Sequence, residues 1–206
     1  MALRSESVSN PIRTPEDATR LVELLSLLDA MGLLRIDEPI ATLDASLLER
    51  AAAAAATAGI GRDVQRRLLG ASHTPRAMGA AIRELSEALV DSPAPLHEAR
   101  EMVSVFGPER LAALVGSSPA SLRRYASGLR AVPDRVAARL HLLARVVAEL
   151  RGAYNETGVR RWFERPRTQL DGREPRQLLS GDWDPEGPAP CRVLALARGL
   201  RAAGAS

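Results

Sequence analysis

The sequence predicts an all-α chain, and three observations predict it. Apolar residues recur at helical spacing, as in Leu21, Leu24, Leu25, Leu28 and Met31. Helix-start signatures punctuate the chain: Thr14-Pro15, Asp44, Thr74-Pro75 and Ser118-Pro119 each set a capping oxygen before a first helical turn. Alternation at period two never runs far and β-branched residues are sparse, so no strand is expected. Hydrophobic residues make up 46% of the 206 and charged residues 26%, a balance that excludes wholesale disorder. Aromatics are only 3%, so the core must be built from Leu, Ala and Val.

Residues 1–13 read as a flexible tail ending at Asn10-Pro11. The first helix opens at Thr14-Pro15-Glu16-Asp17, with acids in its first turn to complement the helix dipole. Gly32 and Asp37-Glu38-Pro39 interrupt the helical pattern after Met31. A second helix starts at Asp44 and runs through the Ala51–Ala56 run, a good helix former that permits close packing. Gly59 and Gly61 end it. A third segment covers about Asp63–Leu69 and a fourth runs from Thr74-Pro75 to Val90. Asp91-Ser92-Pro93-Ala94-Pro95 is the best linker in the chain, with two prolines within three residues. Residues 14–92 therefore read as an N-terminal helical domain, suited to dimerisation or ligand sensing.

Charge is unevenly spread. Residues 1–96 hold ten arginines against thirteen acids, whereas residues 97–206 hold eighteen against twelve. The excess is sharpest over 121–167, with eleven arginines and four acids. Such a localised basic region is an electrostatic footprint for an anionic partner. There is no lysine at all, which a GC-rich coding sequence explains without any functional cause.

The segment 96–152 carries the most specific pattern. Pro108 starts a short helix and Gly116 ends it, where a residue of positive φ is wanted. Ser118 caps the next helix and Pro119 is its first residue. Two short helices joined by a tight glycine turn form a helix-turn-helix. Leu111, Leu114 and Val115 supply the inner face of the first helix, and Leu122 and Tyr125 that of the second. Ala112, four residues before the turn glycine, is small enough to let the helices approach. Ala120, Ser121, Arg123, Arg124 and Ser127 are left pointing outward. In this motif the N-terminal part of the second helix enters the major groove. Ser118 and Ser121 offer short hydroxyls there, and Arg123 and Arg124 suit guanine edges or phosphate. Arg130 and Arg135 flank the groove as backbone contacts. An ordinary helical hairpin with a solvated arginine pair is the alternative reading.

Residues 153–206 read as a small helical module. Trp162, Phe163, Leu170, Leu178 and Leu179 are its large apolar groups. Leu170-Asp171-Gly172-Arg173 is a turn, Glu174-Pro175 begins a helix, and Trp183-Asp184-Pro185 with Gly187-Pro188-Ala189-Pro190 forms a stiff loop before a last helix at Cys191–Leu200. The module is too small to bury these groups alone, so it should pack on the helix ending near Leu150 or on a partner.

These residues carry two resemblances. Leu-Ala-x-Leu-Val-Gly-x-Ser, followed by Leu-Arg-Arg-Tyr-Ala-Ser-Gly, resembles the Xre-type helix-turn-helix. The stretch Gly158–Leu179, with its tryptophan helix and Leu-x-Gly-Arg-x-Pro-x-x-Leu-Leu segment, resembles the toxin-binding domain of the Xre/MbcA/ParS antitoxin family. Together they cover roughly residues 104–201 and leave the first 96 unexplained. The resemblance implies a type II antitoxin that neutralises a RES-domain toxin and represses its own operon. It implies Trp162, Arg173 and Trp183 as toxin-binding residues, and Arg192, Arg198, Leu200 and Arg201 as contacts of an occluding final helix. The implied partners are operator duplex DNA, the toxin, and a second copy in a homodimer or higher toxin–antitoxin assembly. A standalone transcriptional regulator with an N-terminal dimerisation or sensing domain, and a helical adaptor with no DNA role, remain open.

No enzymatic chemistry is expected. His73, His97 and His141 are widely spaced and no HExxH motif exists, so no metal site is expected. Cys191 is the only cysteine and has no evident base. Asp182 and Asp184 flank Trp183 in a proline-rich loop and read as a solvated turn. No Walker or Rossmann glycine pattern appears, so no cofactor is expected. No run approaches ~18 apolar residues, and the N-terminus lacks the basic start of a signal peptide, so a cytoplasmic protein is expected, without a membrane partner. Leu68–Arg76 faintly echoes the later Val-Gly-Ser-Ser-Pro run, although Gly79 weakens the helix behind it.

Overall fold

The computed structural model describes residues 5–8, 12, 14–36, 40–70 and 73–204. The chain is mostly helical, as its periodicity requires, and divides into two compact units, Leu3–Ser92 and Pro93–Ser206. The expected breaks at Asn10-Pro11 and Asp37-Glu38-Pro39 lie outside the described residues, as do Ala71 and Ser72 of the Leu68–Arg76 echo.

The first unit runs β1 (Ser5–Val8), α1 (Pro15–Ala30), β2 (Ile40–Leu43), α2 (Ala45–Thr57), α3 (Arg62–Gly70) and α4 (Pro75–Asp91). The caps form where the sequence places them. Thr14 accepts from the Asp17 N–H at 3.0 Å, Asp44 from Leu47 at 2.9 Å and Thr74 from Ala77 at 3.3 Å. Leu21, Leu24, Leu25, Leu28 and Met31 are all buried, and α1 lies against α2 and α4. Ala51, Ala52 and Ala55 are wholly buried where α2 meets α3 and α4. Gly79 is buried on α4 against the Asp17 carboxylate.

The strands correct the expectation that none would form. β1 and β2 pair in parallel, with Ser5 opposite Ile40, Ser7 opposite Thr42 and Val8 opposite Leu43. A parallel pair needs a crossover, and α1 supplies it. Each strand is four residues long, too short to show a period of two. The stretch read as tail thus contributes a strand, and Ile12 is buried.

The second unit is built on α5 (Pro95–Phe106), α6 (Pro108–Val115), α7 (Pro119–Ala126), α8 (Asp134–Arg151), α9 (Glu156–Phe163), a 3-10 turn (Thr168–Leu170), α10 (Pro175–Leu178) and α11 (Pro188–Gly204). Helix α8 is buried on most sides, from Val136 to Leu150, with α5, α6 and α11 around it. The segments read as separate domains, 96–152 and 153–206, share this core in one unit. The last helix starts at Pro188, so the Pro188-Ala189-Pro190 stretch read as loop is its first turn. Proline there loses no hydrogen bond, because first-turn N–H groups have no helical partner.

Candidate nucleic-acid interface

The α6–α7 turn has the geometry its sequence demands. Gly116 ends α6 at φ +67°, in the left-handed region, and its N–H donates to the Ala112 carbonyl. A Cβ at Gly116 would lie 2.6 Å from Arg139 Nη1, so shape excludes a side chain as well as φ. Ser118 accepts from the Ser121 N–H at 3.1 Å and donates to the Ser121 hydroxyl at 2.9 Å, closing the first turn of α7. Leu111, Ala112, Leu114, Val115, Leu122 and Tyr125 are buried between the two helices and α5.

The opposite face of α7 is open. Ala120, Arg123, Arg124 and Ser127 are exposed and Ser121 is half-buried. The four arginines differ in their attachments. Arg123 Nη2 donates to Glu109 Oε1 at 2.6 Å, so a carboxylate on α6 holds that guanidinium beside the helix. Arg130 stands over the Tyr125 ring at 5.7 Å. Arg135 pairs with Asp182. Among the described residues Arg124 has no ion-pair partner, and it is the arginine of this face most available to an anion. The Ser127 hydroxyl donates to the Arg124 carbonyl at 3.1 Å and is engaged locally.

The C-terminal candidates fall differently, and two are corrected. Trp162 is buried edge-on to Phe163 at 5.2 Å, beneath the Arg167 guanidinium. Trp183 is buried and its Nε1 donates to the Leu114 carbonyl at 2.8 Å. Neither indole lies on the exposed surface of the unit. A tryptophan in a small helical unit with few aromatics brings the most apolar area, and burial takes it. The arginines expected as inhibitory contacts are exposed or half-exposed but already bonded within the chain. Arg192 donates to Asp171 and to the Gln169 carbonyl, each at 2.9 Å, tying α11 to the 3-10 turn. This pairing holds the Asp171 carboxyl below its ordinary pKa, chiefly through the hydrogen bond and then through charge. Arg198 and Arg201 reach the two oxygens of Glu149 at 3.4 and 3.3 Å, tying α11 to α8. Arg173 is exposed, and its carbonyl accepts from the Arg167 N–H. Leu200 is half-buried beside Ala195, Leu196 and Gly199, which line a shallow outer groove on α11.

Sequence reasoning missed the residue that joins these parts. Arg139, on α8, is 3% exposed. It donates to the carbonyls of Trp183 (2.9 Å from Nε), Val115 (3.1 Å) and Gly181 (3.3 Å), and to Asp182 at 3.1 Å. Burial pushes its pKa down from the ordinary arginine value; nearby Arg135 acts the same way and Asp184 opposes both. The available signal was phase: Arg139 stands between Val136 and Leu143 on the apolar stripe of α8. His141 on α8 is likewise buried, with Nδ1 2.7 Å from Oε1 of the fully buried Glu98.

Among the described residues no helix is long and apolar enough to cross a membrane. No family model, curated protein or solved structure matches the chain.

Proposed function

We propose that the chain is a non-enzymatic, DNA-binding antitoxin acting in the cytoplasm as a homodimer. Helix α7 lies in the major groove of an operator duplex and represses the operon, while the outer face of α11 covers a RES-domain toxin. One observation carries the reading. A glycine-turned, serine-capped helix pair presents Ser121, Arg123 and Arg124 outward while Leu122 and Tyr125 anchor the same helix inward. The resemblance of residues 104–201 to the Xre/MbcA/ParS antitoxins supplies the toxin half of the proposal. On the partner side, the groove of Ala195, Leu196, Gly199 and Leu200 replaces the two tryptophans as the contact surface.

The test is duplex binding by the full chain, using the promoter region of its own gene and an unrelated duplex. The double substitution Arg123→Ala plus Arg124→Ala abolishes operator preference and leaves toxin binding intact. Operator affinity retained in that variant removes the recognition-helix assignment. Binding to duplex that does not change with salt supports an adaptor instead.

A second reading has its own observation. Leu3–Ser92 forms a unit with a complete core, which suits a standalone regulator whose N-terminal unit dimerises or senses a ligand. Co-expression with the adjacent gene separates the two: only an antitoxin relieves growth inhibition by that neighbour.

A further inference from the structure

A cleft of about 330 Å³ lies between α6 and the α9–α10 pair, wholly within the second unit. Its floor is aromatic. Phe106 and Phe163 meet edge to face at 5.0 Å and 85°, with Leu114 beside them. Its rim is basic. Arg110, Arg160 and Arg176 line it from three different helices beside Glu164, and Arg160 and Arg176 each also pair with an acid outside the lining, Glu156 at 3.9 Å and Glu174. Arg160 is held in place by donating to the Val105 carbonyl at 2.8 Å. Arg110 reaches Glu164 at 3.3 Å, an exposed pair of the kind that exchanges partners at little cost.

We infer that this cleft binds a small organic anion with a flat apolar body, its ring against Phe106 and Phe163 and its carboxylate or sulfonate facing the three arginines. The volume sits at the lower end of small-molecule sites, which combine an apolar lining with a few fixed polar groups. Guanidinium forks suit a planar carboxylate, and the aromatic floor selects against a bare inorganic ion, which would gain nothing there. The site is separate from the exposed face of α7, so it stands whether or not that face binds DNA.

Both tryptophans report on the cleft. Trp162 touches Phe163, and the Trp183 indole donates to the Leu114 carbonyl. The experiment titrates the full chain with 1-anilinonaphthalene-8-sulfonate, following probe emission and intrinsic fluorescence, and then competes it with 1-naphthoate and with neutral 1-naphthylmethanol. The expected result is saturable one-site binding with a Kd on the order of tens of micromolar. Naphthoate displaces the probe, raises the melting temperature by a few degrees, and outcompetes the neutral alcohol by about tenfold or more. Ala113→Trp, at an exposed position on the cleft wall, abolishes binding, and Arg110→Ala plus Arg176→Ala weakens it about tenfold. Non-saturable emission, equal competition by the alcohol, or full binding by the double arginine variant overturns the proposal. A cleft that instead takes an acidic, apolar peptide of a partner leaves naphthoate without effect on fluorescence or melting, which overturns it too.

Discussion

The guanidinium of Arg139 lies 4.9 Å from the centre of the Trp183 ring and also bonds the backbone carbonyl of that same residue. One side chain thereby joins the end of α6, through Val115, to the loop that precedes α11. The cation is out of water, and its hydrogen bonds together with the indole face offset the desolvation. The contact ties the α6–α7 turn and the loop before α11 to α8, on which α11 itself packs.

Arg139→Lys removes the fork while keeping the charge. Three carbonyl contacts then go unmet or are shared by one ammonium, at a cost of about 2–3 kcal/mol. Arg139→Ala costs more, since it also leaves a void under Trp183. Urea unfolding followed by tryptophan fluorescence measures both. A change below about 0.5 kcal/mol in the lysine variant removes Arg139 from its joining role.

Two glycines separate backbone strain from crowding. Gly172 has φ +74° and open space around its would-be Cβ, so Gly172→Ala costs about 1 kcal/mol. Gly116 has a similar φ, but its Cβ would meet Arg139 Nη1. Gly116→Ala therefore costs at least about twice as much and perturbs near-ultraviolet dichroism from Trp183. Equal losses in the two variants, read from denaturant midpoints, contradict the crowding at Gly116.

The α7 arginines differ in what they give to duplex binding. Arg124→Ala lowers the slope of log affinity against log salt by about one, as expected for one lost phosphate contact. Glu109→Gln removes the carboxylate that holds Arg123 and tightens binding to unrelated duplex more than to the operator. Fluorescence anisotropy across a salt series gives both values. A tighter operator complex with no gain on unrelated DNA excludes Glu109 as a restraint.

The Asp171–Arg192 pair sets a pH dependence at the junction of the 3-10 turn and α11. The carboxyl pKa is lowered in the folded chain, so the folded state favours its charged form. The pair's contribution to stability is present above the ordinary carboxylate pKa. It is lost as pH falls through the lowered folded value. In Arg192→Ala the Asp171 carboxyl titrates at higher pH than in the parent, by carbon-detected magnetic resonance, and the gap narrows in high salt. Coincident titration curves contradict the pairing.

Local chemistry made much of this molecule legible. Thr14, Asp44, Thr74 and Ser118 cap because their side chains accept from the N–H three residues ahead, a contact that needs no distant partner. Gly116 and the Leu122/Tyr125 face were readable for the same reason. The exposed stripe of α7 is a direct consequence, since the residues not facing inward must face out. The β1–β2 pair was not legible, because four-residue strands carry little periodicity and their partner lies across a whole helix.

The sequence by itself determined the helices, their caps and the turn that sets α7 apart, because these depend on neighbours three or four residues away. Tertiary structure alone decided the fate of the long polar and aromatic side chains. Trp162 and Trp183 went inside, Arg139 joined them to meet carbonyls that would otherwise be unpaired, and Arg192, Arg198 and Arg201 turned to acids on other elements. A side chain that long reaches partners from any part of the chain, and only the packed core selects among them.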